Sequence, residues 1–169
     1  MKCARDEKMD IVDENDGVIG SATRKEIYEK GHRHRIVHVL VFNKSGEMLL
    51  QLRSKKVDFL PRYWSTAAGG HVSSGESYLD AAKRELKEEL GITGDLQGIG
   101  KYEFYGTINK IYKFIYFYKI VFDGRFNLDY NDVEKVEFFS KDKLRKMIKN
   151  GSKIHPELLF YLKKYLEEK

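Results

Sequence analysis

The sequence has little cysteine and no long apolar run. Its single cysteine, Cys3, excludes an internal disulfide and is typical of proteins from a reducing compartment. Because Cys3 lies close to the N-terminus, where chains fray, we expect it to have no catalytic role. No apolar run approaches the roughly 18 residues that cross a membrane, and residues 1–8 are too acidic for a signal peptide. We therefore expect a cytoplasmic protein without a membrane partner.

The composition is that of a soluble globular protein, since 41% of the 169 residues are apolar and 34% are charged. This length suits one domain, which we place at residues 1–169, with residues 1–8 as a flexible N-terminus. The net charge of +5 favours anionic partners. Because the basic residues are dispersed along most of the chain, nucleic acid is not indicated.

Periodicity and turn residues divide the chain into strands and helices. Strands are predicted where apolar residues run together or alternate, and helices where a capping residue precedes an apolar stripe. The predicted strands are 9–13, 18–22, 36–42, 48–52, 64–70, 96–107, 112–122 and 134–139, and the predicted helices are 24–30, an acidic helix ending at Gly91, 141–149, and one beginning at Pro156. The pattern predicts an α+β fold in which a mixed β-sheet is sandwiched between helices, with an N-terminal β-hairpin.

The most informative stretch is residues 70–92, which consist of a loop followed by the acidic helix that Gly91 ends. At about 100° per residue, Glu88 lies about 60° to one side of Glu85 and Glu89 lies about 40° to the other. Three carboxylates therefore share one helix face. Such a cluster is a suitable ligand set for a hard divalent cation.

The alternative is that this face is only a solvated helix surface, and the charge pattern argues against it. Carboxylates three and four residues apart repel each other, and Lys87 lies about 160° to 220° around the helix, too far to neutralise them. A bound cation removes this repulsion. Arg84 is close enough to bind Glu88, or to reach back to Glu76 and fix the loop on the helix. The apolar stripe expected to dock the helix consists of Leu79, Ala82, Leu86 and Leu90.

This stretch resembles the Nudix box, whose fixed positions are Gly, Glu, Arg-Glu, Glu-Glu and a second Gly followed by an aliphatic residue. Every position matches between Gly70 and Ile92. The resemblance implies the Nudix fold and a hydrolase that depends on Mg2+ or Mn2+. Its substrate would be a nucleoside di- or triphosphate, or a nucleoside diphosphate linked to another group, cleaved at the diphosphate linkage.

The resemblance also implies roles for individual residues. The implied metal ligands are Glu85, Glu88, Glu89 and a backbone carbonyl of Gly69 or Gly70. Of these, Glu88 and Glu89 would be the main ligands, while Arg84 and Glu76 would orient the set. Gly91 is a structural position of the box.

The general base and the substrate contacts are less well defined. Many family members carry a glutamate in the loop before the last strand, where this chain has Asp132, and Glu134 follows two residues later. The base is therefore Asp132, Glu134 or a glutamate of the box. Candidates for binding the substrate are Arg35, Arg53, Lys55 and Lys56, which could contact phosphate, and Tyr63 or Trp64, which could stack on a base.

The resemblance extends to one branch of the family. The N-terminal hairpin, the short helix and residues 31–35 before a hydrophobic strand are similar to isopentenyl diphosphate isomerases. Those isomerases use a cysteine immediately before the Gly-His of the box loop, together with a metal held by several histidines. Here Gly69 occupies the cysteine position, whereas His34 and His71 match two of the metal positions.

Three functions follow from these features. Hydrolysis is the favoured one, because the box carboxylates are complete and the isomerase thiol is missing. The alternatives are an isopentenyl diphosphate isomerase and a non-catalytic Nudix binding module. A homodimer is also conceivable if the apolar strand 112–122 lies at an edge of the sheet.

Overall fold

The computed structural model describes residues 7–167, so Cys3 and the predicted flexible segment up to residue 6 lie outside the described residues. The strands are β1 Lys8–Val12, β2 Val18–Thr23, β3 His34–Phe42, β4 Met48–Arg53, β5 Trp64–Thr66, β6 Ala68–His71, β7 Gln97–Gly106, β8 Ile111–Val121 and β9 Val133–Phe139. The helices are α1 Arg24–Lys30, α2 Tyr78–Leu90, α3 Lys141–Lys149 and α4 Pro156–Tyr165. The fold is α+β, as the sequence predicts. No helix within residues 7–167 combines the length and apolar composition of a membrane-crossing segment.

Seven strands form a mixed sheet around β3. Strand β3 pairs in parallel with β8 along its whole length, from His34 opposite Lys113 to Phe42 opposite Val121. Strand β7 pairs antiparallel with the other side of β8. Strand 112–122 is thus an interior strand, so the edge on which the homodimer expectation depended does not exist there.

Alternating residues of the sheet divide the core into two layers, because successive side chains of a strand point to opposite faces. Val37, Val39 and Val41 of β3 pack with α2 on one face. Ile36 and Leu40 of the same strand pack with α3 and α4 on the other. The sheet is therefore sandwiched between helices, as predicted.

Helix α2 begins and ends at strong capping residues. The Ser77 side chain accepts a hydrogen bond from the Asp80 N–H, and Gly91 closes the helix with a φ of 67°, which favours glycine. The predicted apolar stripe is wrong at its first member, because Leu79 is exposed. Its place in the core is taken by Ala81, and the acidic Glu89 is buried as well. The helix therefore rests on the sheet along a line that includes one of its own carboxylates.

The predicted strand 64–70 is two strands rather than one. β5 pairs with β4, whereas β6 pairs with β3, and the chain changes partner at Ala67. The reason is that β3 and β4 share only two residue pairs, Val41–Leu49 and Phe42–Met48, and then diverge. Strands β5 and β6 fill part of the space between them, and the remaining space forms a cavity.

The predicted N-terminal hairpin is present, and it is attached to the loop that precedes α2. The Ser74 N–H donates to the Lys8 carbonyl at 2.8 Å, and the Ser74 hydroxyl donates to Asp10 Oδ1 at 2.6 Å. Met9 forms an isolated bridge with Ser73. The hairpin therefore fixes the position of a loop about 65 residues further along the chain.

Candidate active site

A cavity of about 450 Å³ opens where β3 and β4 diverge, and side chains from both helical layers line it. This volume lies within the range of small-molecule sites, roughly 300–1,000 Å³. Its acidic wall, a name we give to Glu85, Glu89 and Asp132, comes from α2 and from the segment before β9. The opposite part, which we call the polar floor, consists of His38, Lys113, His155 and Glu157.

Arg84 holds the loop and the helix of the acidic wall together. Its guanidinium donates to both carboxylate oxygens of Glu76 at 2.9 Å, to Glu85 at 2.6 Å, and to Glu88 at 3.3 Å. It also donates to the His71 carbonyl at 3.0 Å. Both arrangements considered from the sequence, binding to Glu88 and reaching back to Glu76, therefore occur together.

The acidic wall gathers three carboxyl groups whose pKa values are all raised. Burial raises the pKa of Glu85 to about 7, against the opposing effect of Arg84. Burial and then the charge of Glu85 raise the pKa of Glu89 well above its ordinary value, and its partner is the neutral Gln51 amide at 2.8 Å. Partial burial and the nearby Asp129 raise the pKa of Asp132. The ionised carboxylates are thus destabilised in the folded protein.

These residues fit a hard divalent cation by their chemistry. Carboxylate oxygens are preferred ligands of Mg2+ and Mn2+, and a cation would lower the pKa values that burial has raised. Within the described chain, Gln51 Oε1 is a buried acceptor without a partner, beside Glu89. The side chains of residues 7–167 form no ready-made group of three ligands, and Arg84 donates to both Glu85 and Glu88.

Two glycines bring the backbone close to the site. A Cβ at Gly70 would collide with the carboxylate of Glu85. A Cβ at Gly69 would lie 2.5 Å from His38 Nδ1 and 2.7 Å from the Val37 carbonyl. The absence of a side chain at both positions therefore allows the β6 backbone to lie between the acidic wall and the polar floor.

The residues predicted to bind substrate are dispersed. Arg53 lines the cavity and donates to the Phe59 carbonyl at 2.9 Å. Arg35 is outside the cavity lining, where it pairs with Asp16 at 2.6 Å. Trp64 packs edge-on against Phe139 in the core beside α3 and α4.

Three further predicted residues lie outside the cavity lining. Lys55 and Glu88 are exposed, and neither is in the cavity lining. Glu134 pairs with Arg62 at 3.3 Å and is also outside the lining. Of the two acids considered as a general base from this segment, only Asp132 faces the cavity.

The two histidines of the isomerase comparison do lie together, with ring centroids 5.5 Å apart. However, Tyr28 Oη hydrogen-bonds to His71 Nε2 at 2.9 Å, and the ammonium of Lys113 lies close enough to lower the pKa of His34. Burial is the larger cause, and together they bring the pKa of His34 to about 4. A positive side chain beside these rings opposes a second cation there, whereas His34 Nε2 is a buried nitrogen without a hydrogen-bond partner among the described residues.

The polar floor was not predicted from the sequence, and neither were two cavity residues of α1, Arg24 and Tyr28. The polar floor had a signal in the sequence, since His38 and Lys113 each interrupt an apolar strand. Charged residues are rarely buried unless they are paired, so a histidine or lysine within an apolar strand indicates a buried partner elsewhere in the chain.

Comparison with known proteins relates the chain to one family. The model of the NUDIX domain matches residues 32–162. An uncharacterised Nudix hydrolase of Yersinia pestis is 43% identical over 88 residues, which cover 52% of this chain and 48% of that protein, so the chain spans about half the length of this relative. An isopentenyl-diphosphate Delta-isomerase of Photorhabdus laumondii is 31% identical over 155 residues, which cover 89% of this chain and 86% of that enzyme. A solved structure from Deinococcus radiodurans, 23% identical, has the same fold, with a TM-score of 0.81 over 94% of this chain and 98% of its own.

Proposed function

The chain belongs to the Nudix hydrolase family, and we propose that it cleaves the diphosphate linkage of a nucleoside di- or triphosphate, or of a nucleoside diphosphate linked to another group. The proposed metal is Mg2+ or Mn2+. One observation carries the proposal, namely that Glu85 and Glu89 of the box converge with Asp132 on one cavity. Arg84 donates to Glu85, whereas the hydrogen-bond partner of Glu89 is the neutral Gln51 amide.

The roles of the side chains follow from their positions. Glu85 and Glu89, at the cavity, would hold the cation together with Glu88, which the resemblance to the box adds, and Arg84 donates to both Glu85 and Glu88. When bound, the cation supplies charge neutralisation on the diphosphate and a water of lowered pKa. Asp132, at the cavity and with a raised pKa, accepts the proton of the attacking water.

A cation at the acidic wall leaves the substrate anionic, and two arginines are placed to bind it. Arg53 and Arg24 line the same cavity as the carboxylates. Each is near enough to Asp132 to lower its pKa, against the effect of burial. Their guanidinium groups bind phosphate oxygens of the substrate.

Isomerisation is the second candidate, since one relative with that name covers most of the chain. Gly69 opposes it, because it stands where the isomerase cysteine would be and a side chain there would collide with His38 and the Val37 carbonyl. The third candidate, a non-catalytic binding module, is disfavoured because all of the box carboxylates are present.

The test is a panel of nucleoside di- and triphosphates, linked nucleoside diphosphates and isopentenyl diphosphate, incubated with Mg2+ or Mn2+ and read by phosphorus NMR. We expect hydrolysis that stops when the metal is chelated. Glu89→Gln should lower kcat/KM by at least about 100-fold. The matched control is Glu29→Gln, a change on the exposed surface of α1, which should retain the wild-type rate. Equal rates for wild type and Glu89→Gln would refute the metal assignment, and isomerised product without phosphate release would favour the second candidate.

A further inference from the structure

The polar floor is a set of buried side chains that form hydrogen bonds with one another. Lys113 Nζ donates to Glu157 Oε1 at 2.9 Å, and His38 Nε2 hydrogen-bonds to Glu157 Oε2 at 2.9 Å. His38 Nδ1 hydrogen-bonds to the Thr66 hydroxyl at 2.6 Å. Lys113, His38 and Glu157 are only 4%, 5% and 6% exposed. Three elements distant in sequence therefore converge on one buried ion pair.

This network is not a feature of the general core, because it faces the same cavity as the acidic wall. Gly69 and Gly70 are adjacent residues of β6, so their Cα atoms are about 3.8 Å apart. Gly70 lies against Glu85, and Gly69 lies against His38. A substrate whose diphosphate is held at the acidic wall would therefore extend its other end over the polar floor.

The floor offers hydrogen bonds rather than net charge. Lys113 and Glu157 neutralise each other, and His155 is held neutral because burial lowers its pKa to about 4. The ammonium of Lys113 has three protons, of which Glu157 receives one, and it lies 5.8 Å from the centroid of the Tyr28 ring. Donor capacity thus remains on Lys113, beside the acceptor oxygens of Glu157. Phe59 and His155, in edge contact at 5.8 Å, add ring surfaces to the cavity.

A ligand that suits this surface is planar, uncharged and carries both donors and acceptors. A second phosphate does not suit it, because Glu157 would repel the phosphate charge. A hydrocarbon tail does not suit it either, because it would cover the remaining protons of Lys113 and the free lone pairs of Glu157 without forming a hydrogen bond to them. A nucleobase has the required shape and both kinds of hydrogen-bonding group.

We propose that the polar floor binds the nucleobase of a nucleoside diphosphate substrate, with Lys113 and Glu157 as its specificity-determining residues. This inference rests on the proposed function, since it places the diphosphate at the acidic wall. Sites that pair their buried polar groups with a substrate reject analogues lacking those groups by large factors, up to about 10⁴ to 10⁵. The polar floor therefore selects nucleotides over isoprenoid diphosphates.

The test compares substrates that share the diphosphate and differ in the group attached to it. The probes are the common nucleoside 5′-diphosphates, methyl diphosphate and isopentenyl diphosphate, with kcat and KM measured for each. For wild type we expect nucleoside diphosphates to be preferred over the other two by at least about 100-fold in kcat/KM. In Lys113→Met this ratio should fall at least about tenfold, mainly through KM.

Two further variants keep the test decisive if Lys113→Met folds poorly. Lys113→Met/Glu157→Leu removes both charges together, which proteins tolerate better than the loss of one partner, and should bind isopentenyl diphosphate more tightly than wild type does. Lys119→Met is the matched control on the exposed face of the same strand and should leave the ratio unchanged. If a folded floor variant loses activity on all substrates equally, with the ratio retained, the inference is overturned.

Failure of the proposed function is recognised separately, by absence of hydrolysis of every probe in wild type. Calorimetry then measures binding of the same diphosphates to wild type and to the double variant. Tighter binding of nucleoside diphosphates than of methyl diphosphate, abolished in the double variant, supports the floor assignment. Equal affinity for both ligands in wild type overturns it.

Discussion

Two glutamates of one cavity differ in how their charge is compensated. Glu89 and Glu157 are 8% and 6% exposed. Although burial opposes it, Lys113 and His38 hold the pKa of Glu157 well below its ordinary value. Burial and Glu85 raise the pKa of Glu89. Burial alone therefore does not decide whether a glutamate is ionised, because the charges and hydrogen bonds of its neighbours decide the direction of the pKa shift. Glu157 has its cation built into the fold, whereas the partner of Glu89 is a neutral amide.

The largest expected effect is on stability, and it differs between the two glutamates. Glu157→Gln leaves the buried ammonium of Lys113 without its counter-charge and should lower the free energy of unfolding by about 3–5 kcal/mol. Glu89→Gln keeps a neutral partner for Gln51 and should cause no loss in metal-free buffer, because the native protein already disfavours the charged form. Urea unfolding with a chelator present measures both. Similar destabilisation in the two variants would break the comparison.

A second prediction concerns the boundary between the acidic wall and the polar floor. Gly69→Cys introduces a thiol at the isomerase position, where its Cβ would meet His38 and the Val37 carbonyl. We expect destabilisation by about 1–3 kcal/mol from overpacking, and no isomerase activity. Gly20→Cys is the control, since a Cβ there meets only Ile11 Cδ1 at 3.9 Å. The interpretation fails if Gly69→Cys is as stable as wild type and converts isopentenyl diphosphate into its isomer.

A further expected effect is a pH dependence from the polar floor. Burial lowers the pKa of His155 to about 4, whereas an unfolded histidine titrates near 6.5. Between these values His155 binds more protons in the unfolded chain than in the folded one, so its contribution to stability is full above pH 6.5 and falls as the pH falls toward 4. The slope from this residue reaches about 1.4 kcal/mol per pH unit.

His155→Asn isolates this contribution. Asparagine can still accept the hydrogen bond that the Glu157 N–H donates to His155 Nδ1, but it does not titrate. The variant should therefore show a shallower loss of stability between pH 6.5 and 4, as measured by urea unfolding at several pH values. An unchanged slope would show that His155 does not remain neutral in the folded protein.

The two sides of the cavity also differ in how far the sequence could predict them. The part of the acidic wall that comes from α2 is local, because the helix, its caps, Glu85 and Glu89 all come from one stretch with strong spacing signals. Asp132 could be placed only by resemblance. The polar floor joins residues 44 and 119 positions apart, so no local pattern relates Lys113 or His38 to Glu157.

The two wrong predictions about the fold, the burial of Leu79 and a single strand over 64–70, have similar causes. Leu79 follows the helical period of the apolar stripe, yet α2 meets the sheet along a line rotated toward Ala81 and Glu89, and that rotation is a tertiary property. The break at Ala67 depends on β3 and β4 diverging, which their individual sequences do not encode. Strand and helix types were predictable because they depend on local periodicity, whereas partner changes depend on the assembled sheet.

Because the N-terminal hairpin is attached to the loop before α2, residues that precede the family match help to position the box. The family match starts at residue 32, after the hairpin and α1. A shortened protein beginning there would retain every carboxylate of the box. It would lose Lys8 and Asp10, which bind Ser74 of the box loop. It would also lose Arg24 and Tyr28, which line the cavity. The stretch that the family model matches and the stretch that holds the box loop in place therefore begin at different residues of this chain.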